Sequence, residues 1–405
     1  MKKLVGALTA VAVMGVAACG SSTGADDSGA IKIGSVHPTT GALAGVGGLM
    51  NDGAAMAVAD INAAGGISSL GGRQLELVSG DSQGRAEVGQ SEAQRLISDG
   101  AVALVGTYQS DVTQNVTSVA ERSRVPFVID VAVDDQILDQ GYQYTFRVQP
   151  DASRVGTDGA QALAAIARQT GQAIDRVSYL HIEGSFGDSV FEAFEAEAGK
   201  QGISVQELIY PATNFSDATT LVREAAVSNP DIIASTGYYP DGLLIARAVE
   251  QLNVDVMGVY GIASGAFDDS SFPSDAGAAG EGVLSANYHF DATSERVNDI
   301  RARFLEQYGR PMETAAMLSY QAVEVIAAGL EDGADANPEA LRNSIAGVSM
   351  QDPLLAFDGP IEFDETGQNK NATAIVMQVR DGAVAQVFPE QFATDAIDFP
   401  VGTGQ

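Results

Sequence analysis

The stretch IKIGSVHPTTGALAGVGGLMNDGAAMAVADINAAGGISSLGGRQLELVSG, residues 31–80, predicts a complete strand–helix–strand unit. Ile31–Val36 and Gln74–Val78 are short apolar blocks bounded by turn residues, as in buried strands. Between them, apolar residues recur at third and fourth positions, as on one buried helix face: Met50, Ala54, Val58 and Ile61. The unit is typical of an α/β fold with a parallel sheet.

The same alternation continues along the chain. Further strand-like blocks are Ala101–Val105, Val125–Ile129, Arg176–His181, Ile203–Ile209, Asp231–Ser235 and Val254–Val259. Helical stretches separate them, so two successive series predict two parallel sheets with helices on both faces. After Glu281–Asn287, the sequence predicts two helices, Val297–Tyr308 and Thr314–Leu330, and then a β-rich tail with strands at Ala374–Arg380 and Val384–Phe388.

The amino terminus has the order of a bacterial secretion signal. Two lysines precede the apolar run Leu4–Val16, which is too short for a permanent transmembrane helix. The next residues include the single cysteine, and Val16-Ala17-Ala18-Cys19 resembles the lipobox of bacterial lipoproteins. We expect residues 1–18 to be a lipoprotein signal peptide, Cys19 to be acylated, and 19–30 to form a flexible tether. The alternative is an ordinary cleaved signal with an incidental thiol.

Charge and reactive residues narrow the function. The chain carries 53 acidic and 22 basic residues, a formal charge of -31, so it would repel nucleic acid. The three histidines are dispersed, and we find no nucleophile elbow, phosphate-binding loop or metal-ligand spacing. The sequence therefore favours a protein that is not an enzyme and needs no cofactor or metal.

Several sequence blocks in combination resemble the leucine, isoleucine and valine type of periplasmic binding proteins. They are Ile31-Lys-Ile-Gly34, Asp60-Ile-Asn-Ala-Ala-Gly-Gly-Ile67, Ala93-Gln-Arg-Leu-Ile97, Val125-Pro-Phe127 and Phe363-Asp-Glu-Thr-Gly-Gln368. The likeness covers about residues 31–390. It implies a type I periplasmic-binding fold, in which two Rossmann-like parallel-sheet lobes are joined by a three-stranded hinge and close on a ligand.

The resemblance also implies discontinuous lobes. We place the crossovers near Gln149, Ser285 and Phe357. Lobe 1 would then comprise residues 31–148 and 286–356, and lobe 2 residues 149–285 and 357–405. In such sheets the ligand crevice lies beyond the carboxyl ends of the strands. After the predicted strand Val254–Val259, this rule selects Tyr260–Ser264 as a candidate cleft segment.

The family pattern indicates candidate ligand-binding residues on both lobes. In amino-acid binders, a serine and helix-terminal amides hold the ligand carboxylate, and the matching segment here contains Gln109 and Ser110. Ser110 could equally be only a helix N-cap. A second segment, Asp130–Asp134, offers Val131 and has Val133 in place of the family's threonine. Aromatic walls match Phe186 and either Tyr238 or Tyr239.

One position departs from the family pattern. Amino-acid binders place an acidic residue for the ligand ammonium where this chain has Tyr260, and an aliphatic Val46 stands where an aromatic is frequent. Burying an ammonium without a countercharge costs several kcal/mol. We therefore expect either that Asp130 or Asp134 replaces the lost charge, or that the ligand has no α-amino group.

The resemblance implies an extracellular substrate-binding lipoprotein of a branched-chain-amino-acid-type ABC importer. Its small polar ligand would be an amino acid, or a carboxylate or amide without the amino group. Its partners would be the ABC permease and ATPase subunits, and it would contact the membrane only through its lipid anchor. We expect a monomer. The alternative is an extracellular ligand sensor that signals to a receptor, because one fold can serve both purposes.

Overall fold

The computed structural model describes residues 29–401. The predicted signal peptide, Cys19 and residues 19–28 of the predicted tether lie outside the described residues. Within the described range, no helix combines the length and the apolar character that crossing a bilayer requires.

The described chain alternates strands and helices. The strands are β1 (Ile31–His37), β2 (Leu75–Asp81), β3 (Ala103–Gly106), β4 (Phe127–Ile129), β5 (Thr145–Arg147), β6 (Arg176–Ile182), β7 (Ser204–Tyr210), β8 (Ile232–Thr236), β9 (Gly258–Ile262), β10 (Leu284–Asn287), β11 (Ser349–Met350), β12 (Ile361–Glu362), β13 (Ile375–Arg380) and β14 (Ala383–Phe388). The helices are α1 (Ala44–Ala63), α2 (Ala86–Ser98), α3 (Ser110–Ser123), α4 (Ala152–Thr170), α5 (Ser185–Lys200), α6 (Thr219–Ala226), α7 (Tyr239–Leu252), α8 (Phe272–Ala276), α9 (Glu295–Tyr308), α10 (Thr314–Gly333) and α11 (Pro338–Ala346).

Two sheets organise these elements. The first sheet has five parallel strands in the order β2-β1-β3-β4-β5. The second sheet is mixed and has seven strands in the order β14-β13-β10-β9-β8-β6-β7. Strands β6 to β10 of the second sheet are parallel and repeat the strand order of the first sheet. The predicted α/β class with two parallel-sheet units is therefore confirmed.

The tail strands add an antiparallel edge to the second sheet. Strand β13 pairs antiparallel with β10, and β14 pairs antiparallel with β13. A separate two-stranded sheet joins β11 to β12. The patterns of the sequence predicted neither the short strand β5 nor helix α11.

Helices from late in the chain pack on the first sheet. Helix α10 lies against α1 and against strands β3 and β4. The packing is close, because a Cβ atom on Gly53 would lie 2.1 Å from the backbone oxygen of Ala316. The chain therefore leaves the first sheet after Arg147, returns to it through α10, and rejoins the second sheet at β13.

Candidate functional site

A cavity lies where the loops after the carboxyl ends of both sheets meet. Its volume is about 90 Å³. A buried water needs roughly 10–15 Å³, so the cavity suits a compact molecule and not a peptide or an oligosaccharide. The lining residues are Val46, Leu49, Tyr108, Ser110, Val131, Ala132, Val133, Phe186, Gly237, Tyr238, Ala263, Gly265, Asp268, Asp269, Asn287, Tyr288, Glu313, Thr314 and Ala315.

The loops after β3 and β4 form one wall. Ser110 is the first residue of α3 and is buried, and its Oγ accepts only a long hydrogen bond, 3.4 Å, from the Asp134 backbone N–H. The start of a helix also presents backbone N–H groups without helical partners, which favour an anion. Val131 and Val133 supply apolar surface. Gln109 does not line the cavity, because its Nε2 donates to the Gly84 carbonyl at 3.1 Å.

Aromatic side chains form the facing wall. Phe186, at the start of α5, stacks on Tyr238, with ring centroids 5.5 Å apart and planes 22° apart. Tyr108 from the first unit lies against the same tyrosine, with centroids also 5.5 Å apart. Of the two tyrosines left open by the sequence, only Tyr238 lines the cavity, since the Tyr239 hydroxyl donates to Asp275 at 2.6 Å.

The two aspartates expected to replace the missing charge are engaged elsewhere. Asp130 is fully buried, and its Oδ2 bonds to His37 Nε2 at 2.7 Å and accepts from Ser319 Oγ at 2.6 Å. Asp134 accepts from Gln114 Nε2 at 2.6 Å and from Ser189 Oγ at 3.1 Å. Neither residue lines the cavity.

Tyr260 is also away from the cavity, so the structure contradicts its predicted place in the site. The sequence predicted a strand ending at Val259, which put Tyr260 on a cleft loop. Strand β9 instead begins at Gly258 and ends at Ile262. Tyr260 is therefore a mid-strand residue with no exposure, and its hydroxyl donates to the Gly159 carbonyl of α4 at 2.9 Å.

The acid that faces the cavity is on the loop after β9, beyond the segment that sequence reasoning selected. Asp268 is 9% exposed, and its Oδ2 accepts from Asn287 Nδ2 at 3.1 Å. Burial raises the pKa of its carboxyl to about 8, and the neighbouring charges of Asp269 and Glu313 contribute to the rise in pKa. The sequence did contain a signal for this acid, the adjacent pair Asp268-Asp269 shortly after a strand. The pair begins four residues past Ser264, where the candidate cleft segment ended.

Glu313 brings a further carboxylate from the other unit. It is the N-cap residue of α10, and its side chain accepts hydrogen bonds from the backbone N–H and the hydroxyl of Ser270. Burial and the charge of Asp269 raise the pKa of Glu313. This contact joins the loop after β9 to the first unit across the cavity.

The structure has two α/β units of the same strand order, and they meet at the carboxyl ends of their sheets around a compact cavity. This architecture defines a two-lobed binding protein for a small solute. The periplasmic binding protein family matches residues 30–383, so the chain belongs to that family. It is a substrate-binding protein of the branched-chain amino acid ABC transporter type, with the type I fold. Family membership implies an extracellular or periplasmic location.

Known relatives resemble the chain over most of their length. The Leu/Ile/Val-binding protein homolog 8 of Brucella abortus (strain 2308) is 28% identical over 382 residues, which cover 91% of this chain and 93% of the relative. The structure of the leucine-binding protein LivK from Thermotoga maritima MSB8 matches with a TM-score of 0.75 and 24% identity, over 88% and 97% of the two chains. A solute-binding protein from R. palustris in complex with benzoate matches with a TM-score of 0.77 and 19% identity, over 93% and 100%.

Proposed function

We propose that this chain is the lipid-anchored receptor of an ABC importer and that it captures a small α-amino acid between two lobes. The observation that carries the proposal is that Ser110 and Asp268 line the same compact cavity. The ligand carboxylate would meet Ser110 and the first N–H groups of α3, and its ammonium would meet Asp268. The valines and the aromatic wall would hold the side chain.

Asp268 favours an amino acid over the alternative ligand without an amino group. An ammonium is the natural partner of a buried carboxylate, and that pairing lowers the pKa of the carboxyl. The benzoate bound by the R. palustris relative shows that the fold also holds amine-free carboxylates. A carboxylate beside Asp268 would require this side chain to stay protonated.

Calorimetry at pH 7 distinguishes these ligands. Because the unliganded pKa of Asp268 is about 8, this carboxyl is mostly protonated at pH 7 and must lose its proton to pair with an ammonium. We expect leucine, isoleucine or valine to release roughly one proton per ligand, measured from binding enthalpies in buffers of different ionisation enthalpy. Binding of 4-methylpentanoate, which lacks the amine of leucine, without proton release would contradict the amino-acid assignment.

We also propose the lobe boundaries and the absence of chemistry as stated from the sequence. Residues 31–148 with 286–356 would form lobe 1, residues 149–285 with 357–405 would form lobe 2, and closure on ligand would present a face to the permease.

His37, Asp130 and Ser319 resemble a catalytic group only in composition. All three are fully buried, which supports a structural role without substrate contact.

Lipid anchoring through Cys19 is proposed on the lipobox resemblance alone. The test is phase partition of the full chain expressed in a bacterium that acylates lipoproteins. We expect wild type to enter the detergent phase and Cys19→Ser to stay in the aqueous phase. Equal partition of the two chains would disprove the anchor.

A further inference from the structure

The lining of the cavity contains more acidic side chains than the binding of one ammonium needs. Three carboxylates, Asp268, Asp269 and Glu313, belong to it, while none of the described lining residues is lysine, arginine or histidine. A zwitterionic amino acid brings no net charge into such a site.

The protein compensates the charge of these carboxylates only in part. Within residues 29–401, none of the three forms an ion pair with a basic side chain. The charge of nearby Arg301 opposes the rise in the pKa of Glu313 without a direct contact. Its guanidinium lies 3.8 Å from the centre of the Phe290 ring and donates to the Met312 carbonyl. One arginine outside the cavity does not balance the three carboxylates that line it, so the arrangement is stabilised when a cation enters.

One of the carboxylates, Asp268, also keeps an acceptor that no other described residue uses. Asp268 is nine-tenths buried, and no hydrogen bond from another described residue reaches its Oδ1. Asp269 accepts hydrogen bonds from Ser271, from its backbone N–H at 2.7 Å to Oδ1 and from its side chain, but it has no direct basic partner among the described residues. An α-ammonium would satisfy Asp268 and would leave Asp269 and Glu313 without a cation inside the cavity.

A metal ion does not account for this cluster. Among the described residues, no group of three histidine, cysteine, aspartate or glutamate side chains has the arrangement that holds a metal ion. The walls beside the acids are instead aromatic, with Tyr108 and Tyr238 in the lining. Ring faces and carboxylates together suit an organic cation.

We propose that the preferred ligand carries a second cationic group, an amine or a guanidinium, that pairs with Asp269 and Glu313. This inference rests on the proposed function, because it assumes an amino acid whose α-ammonium is held by Asp268. The ligand class is then a compact cationic amino acid, in which a zwitterionic end and a positively charged side chain give a net positive charge.

The test compares matched pairs of ligands on the wild-type chain by calorimetry. Each pair differs by the side-chain cation: ornithine and norvaline, lysine and norleucine, arginine and citrulline. In at least one pair we expect the cationic member to bind roughly tenfold or more tightly, as expected for hydrogen bonds between charged groups.

Variants that remove a charge test which carboxylates cause the preference for the cationic ligand. Asp269→Asn and Glu313→Gln keep the shape and one of the two acceptor oxygens of each side chain but remove the charge. We expect the double variant to lose most of the preference for the cationic member while its affinity for the neutral member stays the same or increases. Asp358→Asn removes an exposed carboxylate outside the cavity and is the control.

The outcomes separate the two proposals. If a neutral amino acid binds and every neutral member binds at least as tightly as its cationic partner, the second cation is wrong and the amino-acid receptor stands. If no amino acid binds, both proposals are wrong. An unchanged preference in the double variant would also overturn the assignment of the cation to Asp269 and Glu313.

Discussion

Burial decides the behaviour of Asp268, the residue on which the proposed ligand chemistry depends. Its carboxyl pKa is raised to about 8, so the folded chain holds a proton that the unfolded chain loses near pH 4. The folded state therefore binds more protons between these values, and stability falls as pH rises through this window. A ligand ammonium that pairs with the Asp268 carboxylate would offset this loss of stability.

Asp268→Asn should remove this pH dependence. Between pH 5 and pH 8 we expect unliganded wild type to lose on the order of 2–4 kcal/mol of unfolding free energy relative to the variant. The measurement is urea unfolding at both pH values. Parallel pH profiles for the two chains would mean that Asp268 does not hold a proton in the folded state.

Tyr260→Phe should change stability and not binding. The hydroxyl donates to the Gly159 carbonyl inside the second unit, so its loss should cost about 1 kcal/mol. The affinity for an amino acid should remain within about twofold of wild type in calorimetry. A clear loss of affinity at unchanged stability would return Tyr260 to the site.

At the scale of elements, the sequence predicted strand existence well and strand ends poorly. Val254 and Val256 form an apolar block, yet they lie in the connection between α7 and β9, where they are half-buried against the core. Hydrophobicity alone does not separate such a connection from a strand. This shift moved Tyr260 onto a loop and left Asp268 outside the candidate segment.

Other parts of the site depended on long-range packing. Ser110, Val131, Val133, Phe186 and Tyr238 were predicted from strand ends and family resemblance, and all five line the cavity. Glu313 gave no comparable signal, since an acid before a helix is ordinary dipole complementation. Only the packing of α10 beside the loop after β9 brings it to the cavity.

Gly53→Ala tests the contact between α1 and α10. A Cβ atom at Gly53 would overlap the Ala316 carbonyl, so we expect a loss of about 1–3 kcal/mol in unfolding free energy. Gly45→Ala in the same helix is the control, because beyond its chain neighbours and the local helix backbone the new Cβ would meet no described atom within 4 Å. We expect a change below about 1 kcal/mol. Equal effects of the two substitutions in urea unfolding would refute close packing as the cause.

At the scale of the whole molecule, contacts between the two units flank the cavity. Ser189 on α5 donates to Asp134, and Ser270 donates to Glu313. Neither serine lines the cavity. Such contacts favour the closed arrangement, and a ligand that binds both units gains affinity from any stabilisation of closure.

Ser189→Ala should therefore weaken binding without touching the ligand. The loss of one hydrogen bond in the closed arrangement should reduce amino-acid affinity by roughly twofold to tenfold. Ser91→Ala, whose hydroxyl donates to the Glu87 carbonyl within α2, is the control. Calorimetric affinities that are the same for both variants would contradict a contribution of this contact to closure.

The most direct test of the central claim, a small-solute receptor with Asp268 as the countercharge, is a thermal-shift screen of residues 31–405. The panel contains neutral and cationic amino acids and their amine-free carboxylate analogues. At a hundredfold over its dissociation constant, a ligand adds about 2.7 kcal/mol of stability. We expect amino acids to raise the melting temperature of wild type and to have little effect on Asp268→Asn. Stabilisation by amine-free carboxylates alone, or by no member of the panel, would contradict the claim.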